Sequence, residues 1–241
     1  MKPLILAHRG ASGTTPENTL ISFQKAIEDG ADGVEFDVQL SSDGEPVVIH
    51  DETLERTTAK EGRVVDSTLK ELTSYGAGAH YEEKYKNEKI PSLKSVLEIV
   101  ADMEVINIEL KNNYYDYKNI EEKVVKITKE MGVIDKVLFS SFNHESMVKM
   151  KELVAGSQIG VIYKSGLYQP WLYAKRLGVK NIHPYYKAIN KDIINKCQQN
   201  DIKVNVYGTN DDYEIKKLIS LGVDMIIGDY PKRIAELKNN N

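Results

Sequence analysis

The chain has 241 residues, 41% of them hydrophobic and 28% charged, with a formal net charge of -4. That is the composition of a globular protein long enough to bury a large core, and its mildly acidic, interspersed charge argues against a nucleic-acid or anionic-membrane partner. The one cysteine, Cys197, excludes an internal disulfide. A lone Lys2 ahead of a very short apolar run, and no stretch near the roughly 18 apolar residues of a membrane span, point to a cytoplasmic chain without stable membrane insertion.

The first element is LILA (4–7), which delivers His8 and Arg9 into Gly10. A core strand has no use for an imidazole and a guanidinium at its end, whereas a site that handles a phosphate has use for both. A helical pattern, TLISFQKAIEDGA, follows, with Asn18 as its candidate cap. Next come GVEFDVQL (33–40) and PVVIH (46–50), separated only by SSDGE. A parallel crossover cannot be that short, so the two are expected to pair antiparallel, with Leu40 opposite Val47 and Asp37 opposite His50.

Residues from about 52 to 90 show no strand period and read as an insertion over one end of the fold. Beyond them helices and strands alternate. SLKSVLEIVADM, NIEEKVVKITKEMG, HESMVKMKELV, DIINKCQQN and DDYEIKKLISLG carry the helical pattern. VINIEL (105–110), KVLFSS (136–141), SQIGVIY (157–163), KNIHP (180–184), KVNVYG (203–208) and DMIIG (224–228) read as strands. The terminal ELKNNN is expected to fray. Setting the hairpin partner aside leaves eight strand–helix units. That predicts an α/β fold, a (β/α)8 TIM-like barrel with an extra antiparallel strand, as one domain over residues 1–241.

In such a barrel the chemistry sits at the C-terminal ends of the strands. Glu35 and Asp37 are two apart and share one face, with Val34, Phe36 and Val38 on the other. Glu109 and Lys111 repeat that spacing. Three converging carboxylates repel one another, and all-oxygen ligation of one hard divalent cation, Mg²⁺ or Ca²⁺, would relieve the repulsion. The competing reading is a buried ion-pair network with Arg9 and Lys111. His8 and His50 flank the cluster and suit a general acid and base. Arg9 and Lys111 suit a bound phosphate.

The ordered set HRG, PENT, ExD, HD after a DG hairpin, IELK, SSF and GDYP resembles the glycerophosphodiester phosphodiesterases along nearly the whole chain. The resemblance implies metal-dependent hydrolysis of glycerophosphodiesters to glycerol 3-phosphate and an alcohol, with a cyclic phosphate as intermediate. By position it makes His8 and His50 the acid–base pair, Glu35, Asp37 and Glu109 the metal ligands, Arg9 and Lys111 phosphate contacts, and Glu17 a support for the site. Tyr207, in NVYGTND, stands where the family usually has Trp and is expected to touch substrate. The rival readings are a lysophospholipase D or a cyclising lyase using the same residues, and a non-catalytic barrel that binds phosphodiesters.

Other chemistry-bearing residues are left outside the site. His183 ends a strand and fits a pocket or a core role equally. His144 is expected to open a helix, and Trp171 to pack from a loop onto a helix. Tyr114, Tyr115 and Tyr117 are rim candidates, and His80 lies in the insertion. The oligomeric state is not legible.

Overall fold

Apolar, β-branched runs bounded by Gly, Pro and Asp become nine strands in the computed structural model, which describes every residue except Met1, Ala155, Ser157 and Asn241. They are β1 (Leu4–His8), β2 (Gly33–Leu40), β3 (Pro46–Val48), β4 (Val105–Leu110), β5 (Val137–Ser141), β6 (Gln158–Tyr163), β7 (Asn181–Pro184), β8 (Lys203–Tyr207) and β9 (Met225–Gly228). Eight of them pair in parallel and close on themselves, in the ring order β1-β2-β4-β5-β6-β7-β8-β9 and back to β1. β3 pairs antiparallel with β2 and lies outside the ring. The expected barrel and extra strand are therefore present.

Among the described residues, helices fill the crossovers: α1 (Leu20–Glu28), α2 (Leu69–Leu72), α3 (Leu93–Val100), α4 (Ile120–Glu130), α5 (His144–Leu153), α6 (Pro170–Leu177), α7 (Lys191–Gln198), α8 (Asp212–Leu221) and α9 (Pro231–Asn239). None is long and apolar enough to cross a membrane.

The period of two along each strand sorts the side chains. Val34, Phe36, Val38, Ile106, Ile108 and Leu110 face outward and are fully buried beneath the helices. Phe36 meets Phe23 of α1 edge-on, with ring centroids 5.5 Å apart. Truncating such a ring to Ala costs about 3–5 kcal/mol. The inward positions form a second, smaller apolar cluster of Leu6, Val105, Leu138, Met225 and Ile227, which plugs the barrel. Above it the inward positions turn polar, then charged.

Four expectations need correction. The hairpin register is Leu40 opposite Pro46 and Val38 opposite Val48. The amide of Ile49, not His50, donates to Asp37 O, at 3.1 Å. The cause is the turn: Ser41 pairs with Glu45 through its backbone, and Gly44 at φ 75° completes a three-residue loop. That loop moves the pairing by one residue. Asn18 does not cap α1. Thr19 does, in a capping box with Ser22, and Asn18 is turned inward. The C-terminal ELKN is helical through Asn239, held by the buried Leu237 and by Lys238 on Asp32 at 3.2 Å. Trp171 does not lie in a loop but in the first turn of α6, half-buried against the main core. His144 does open α5, where its ring bridges Tyr173 Oη and Ile162 O, both at 2.8 Å.

Candidate active site

The register of the ring gathers the site. β1 on β2 sets His8 beside Glu35, and β2 on β4 sets Asp37 beside Glu109. One oxygen from each of Glu35, Asp37 and Glu109 lies within 4.8 Å of the others. Glu35 and Asp37 are almost wholly buried.

The two readings of this cluster divide by residue. Asp37 and Glu109 do have cationic partners. Lys111 Nζ is 2.9 Å from Glu109 Oε1 and 3.7 Å from Asp37 Oδ1, and Arg9 Nε is 3.3 Å from Asp37 Oδ2. Asn18 Nδ2 adds a hydrogen bond to Asp37 Oδ2 at 3.0 Å. Burial opposes charge on Asp37, but Arg9, then Lys111, then His50 outweigh it and hold the carboxyl well below its usual range. Glu35 is different. Burial, and then the charge of Asp37, push its pKa up. One oxygen accepts the Arg9 amide at 3.1 Å, and the other, Oε1, is buried with no partner. An orphaned carboxylate oxygen in an all-oxygen cluster is what a hard cation would satisfy, so the triad fits one divalent ion.

Each histidine leans on its own aspartate. His8 Nδ1 is 2.6 Å from Asp229 Oδ1, leaving Nε2 at 3.9 Å from Glu35 Oε2. Burial opposes the imidazolium of His8, yet the Asp229 hydrogen bond and the Glu35 charge prevail and raise its pKa. Asp229 is itself fixed by Asn210 Nδ2 at 2.6 Å. His50 Nδ1 is 2.6 Å from Asp51 Oδ1, and its Nε2 is 3.2 Å from Lys111 Nζ. The backbone around His50 is clamped by the buried Gln39, whose amide donates to the carbonyls of Ile49, His50 and Asp51 at 3.1, 3.0 and 2.7 Å. Tyr117 Oη orients Gln39 by donating to its Oε1 at 2.7 Å.

The β1–α1 loop is bent to serve the same point. Arg9 and Asn18 both hold positive φ, 55° and 54°, uncommon for side-chain-bearing residues and found where a loop is over-determined by its surroundings. The bend is closed by Asn18 N on Arg9 O at 3.0 Å. Glu17 Oε1 then accepts from Arg9 Nη1 at 2.8 Å. Burial opposes ionisation of Glu17, but Arg56 and Arg9 overcome it and lower its pKa.

The opposite wall of the mouth is aromatic. Phe142 and Tyr185 meet the Tyr207 ring edge-on, with centroids 6.5 and 5.8 Å away. A cavity of about 30 Å³ is lined by the rings of Phe142 and Tyr207, by Glu35 and Glu109, and by His8 and His183 among others. His183 is therefore both buried and against the pocket, and burial alone lowers its pKa to about 3.

The structure brings together His8, Arg9, Glu17, Glu35, Asp37, His50, Glu109, Lys111 and Tyr207. No site role is expected from the sequence for Asn18, Gln39, Asp51, Arg56 and Asp229, although PENT, HD and GDYP contain three of them. Asp51 and Asp229 had a usable signal, since both are carboxylates placed at or just past a strand end.

The sequence model of the "Glycerophosphoryl diester phosphodiesterase family" matches residues 8–233. The chain belongs to that family. It is 42% identical to the "Glycerophosphodiester phosphodiesterase" of Caldanaerobacter subterraneus subsp. tengcongensis, over 98% of both chains. It is 39% identical to a protein of the same name from Bacillus altitudinis, over 97% of both. Among solved structures, an Oleispira antarctica phosphodiesterase in complex with the product sn-glycerol-3-phosphate is 32% identical, with a TM-score of 0.92, covering 99% of this chain and 97% of that one. Membership of this phosphodiesterase family makes the chain an enzyme.

Proposed function

We propose that this chain hydrolyses glycerophosphodiesters to glycerol 3-phosphate and an alcohol through a cyclic phosphate, with His8 and His50 as the acid–base pair. The carrying observation is the pair of imidazoles on opposite sides of the triad, each with Nδ1 on an aspartate 2.6 Å away. Binding alone needs no such couple. The product named in the Oleispira antarctica complex agrees with it.

Glu35, Asp37 and Glu109 would hold one Mg²⁺ or Ca²⁺, which when bound lowers the pKa of a nearby hydroxyl and offsets charge on the phosphoryl oxygens. Arg9 and Lys111 grip those oxygens. Glu17 steadies Arg9, and Tyr207 presents a ring edge to the substrate. The ammonium of Lys111 can only donate, so the His50 Nε2 that faces it serves as acceptor. His8, between Asp229 and Glu35, favours the imidazolium. His50 therefore takes the proton of the glycerol 2-hydroxyl, whose oxygen attacks the neighbouring phosphorus with the advantage of an intramolecular reaction. His8 protonates the departing alcohol. Water then opens the ring with the roles reversed: His8 accepts its proton and His50 returns one to the 2-oxygen.

The test is a panel of glycerophosphodiesters assayed for free glycerol 3-phosphate with Mg²⁺, Ca²⁺ or Mn²⁺, then with EDTA. Turnover that EDTA abolishes is expected. Accumulation of the cyclic phosphate alone would make the protein a lyase, and no turnover on any substrate would make it a binder. The two histidines separate on an activated p-nitrophenyl ester, whose leaving group needs no proton. His8→Ala should keep its first-turnover release of p-nitrophenol there, though not ring opening, and His50→Ala should not; the reverse pattern would exchange their roles.

A further inference from the structure

Arg56 follows His50 by six residues, in a turn outside every helix and strand, and its side chain is 46% exposed. An exposed guanidinium beside one carboxylate contributes little to stability. Arg56 instead grips two carboxylates at once. Nε and Nη2 donate to both oxygens of Asp51, at 2.5 and 3.1 Å, while Nη1 and Nη2 donate to both oxygens of Glu17, at 2.7 and 2.8 Å. Each carboxylate holds a group of the proposed chemistry on its far side. Asp51 carries His50 Nδ1 at 2.6 Å, and Glu17 carries Arg9 Nη1 at 2.8 Å. No other side chain among the described residues hydrogen-bonds both.

We propose that Arg56 is a positioning residue: by binding Asp51 and Glu17 together, it sets the distance between the His50 imidazole and the Arg9 guanidinium, and hence between proton acceptor and phosphoryl group. The inference rests on the proposed reaction. It explains why Arg56, near the open mouth, is locked by four charge-assisted bonds where most exposed arginines are mobile. It also ties the β1–α1 loop to the return of the hairpin through side chains, beyond the hydrogen bonds that each makes to β2. A lysine cannot replace Arg56, because a single ammonium cannot span both carboxylates in this forked geometry.

The experiment begins with the wild-type enzyme on glycerophosphocholine. No turnover there overturns the proposed reaction itself, whereas the outcomes below bear on Arg56 alone. Arg56→Ala and Arg56→Lys should each lower kcat by about 10²-fold, the usual cost of a misplaced catalytic group, with KM within about threefold of wild type. The thermal midpoint should barely move. The deciding measurement is a double-mutant cycle with Asp51→Asn. Adding Arg56→Lys to Asp51→Asn should cost less than about threefold more in kcat, because the link is already broken. Wild-type kcat in Arg56→Lys would overturn the inference. So would a rise in KM alone, which would mean Arg56 touches substrate, or fully multiplicative losses in the double variant. Should Arg56→Ala not fold, the lysine series completes the cycle.

Discussion

The two halves of the barrel mouth are built from different materials. On the side of β1 to β4 many of the inward and rim groups are ionic: His8, Arg9, Glu17, Glu35, Asp37, His50, Asp51, Glu109 and Lys111, joined by contacts of 2.6 to 3.9 Å. On the side of β5 to β8 the groups that line the pocket are neutral, and Lys164 Nζ lies over the Tyr185 ring, 5.9 Å from its centroid. Ser140 donates to Asn107 Oδ1 at 2.9 Å, and Asn205 Nδ2 lies 3.0 Å from His183 Nε2, beneath the rings of Phe142, Tyr185 and Tyr207. His8 and Asp229 stand at the seam where β1 meets β9. Under the proposed reaction, bond-breaking chemistry belongs to one half, while the other shapes the space in which substrate lies. Charges that must not both ionise cost least when gathered around one cation, and an aromatic wall adds contact area without perturbing them.

The comparison breaks most visibly at the histidines. His50→Ala and His8→Ala should each lower kcat on natural diesters by about 10³-fold with the fold intact by circular dichroism. Near-wild-type turnover in both would leave the charged half without its function. Next in size is Glu35→Gln. It keeps the volume but removes the carboxylate whose Oε1 has no hydrogen-bond partner, so the concentration of Mg²⁺ or Ca²⁺ needed for half-maximal activity should rise by about 100-fold. Unchanged metal dependence would return the triad to a plain ion-pair network.

The neutral half should respond more gently. Tyr207→Ala should shift KM by about 10-fold, by an amount that varies with the alcohol, while kcat on the best substrate stays close to wild type. A uniform loss of kcat across the panel would move Tyr207 into the chemistry. Smallest is a pH effect on stability. Folded His183 stays neutral down to a pKa of about 3, against about 6.5 when unfolded. Its contribution is therefore intact above pH 6.5 and is lost as pH falls toward 3. His183→Asn should melt below wild type at pH 8, with the gap narrowing by pH 4.5. A constant gap across that range would mean that His183 is not held neutral.

Much of this was legible in the sequence because strands broadcast a period of two. All nine strand candidates exist, and the faces of Glu35, Asp37 and Glu109 were readable from spacing. Three helices were not. The four-residue α2 (Leu69–Leu72) lies inside the irregular 52–90 segment. α6 begins at Pro170 with Trp171 and Tyr173, and α9 begins at Pro231 inside GDYP. Proline followed by aromatics, or a polar tail, hides a helix whose stability comes from docking rather than propensity. In the site, the acidic triad and the imidazoles announced themselves by residue type. Their supports did not. Asp229 meets His8 across 221 residues, Arg56 meets Glu17 across 39, and Tyr117 meets Gln39 across 78. Separations like these have no local signature. Asn18 was misread for a related reason: as a cap residue it has a good local alternative, and only the buried Asp37 explains its inward turn.

The outlying strand has a consequence for how the molecule tolerates change. The ring closes through β2 on β1 and β4 without help from β3, yet His50 reaches the pocket only by riding on β3. A one-residue deletion within Ser42–Gly44 would slip that ribbon by half a pleat, sending Val47 and its neighbours to the wrong face and withdrawing the imidazole. The ring strands would still pair, but Val47 and Val48 would leave their buried places, so one short turn sets both part of the packing and the reach of His50.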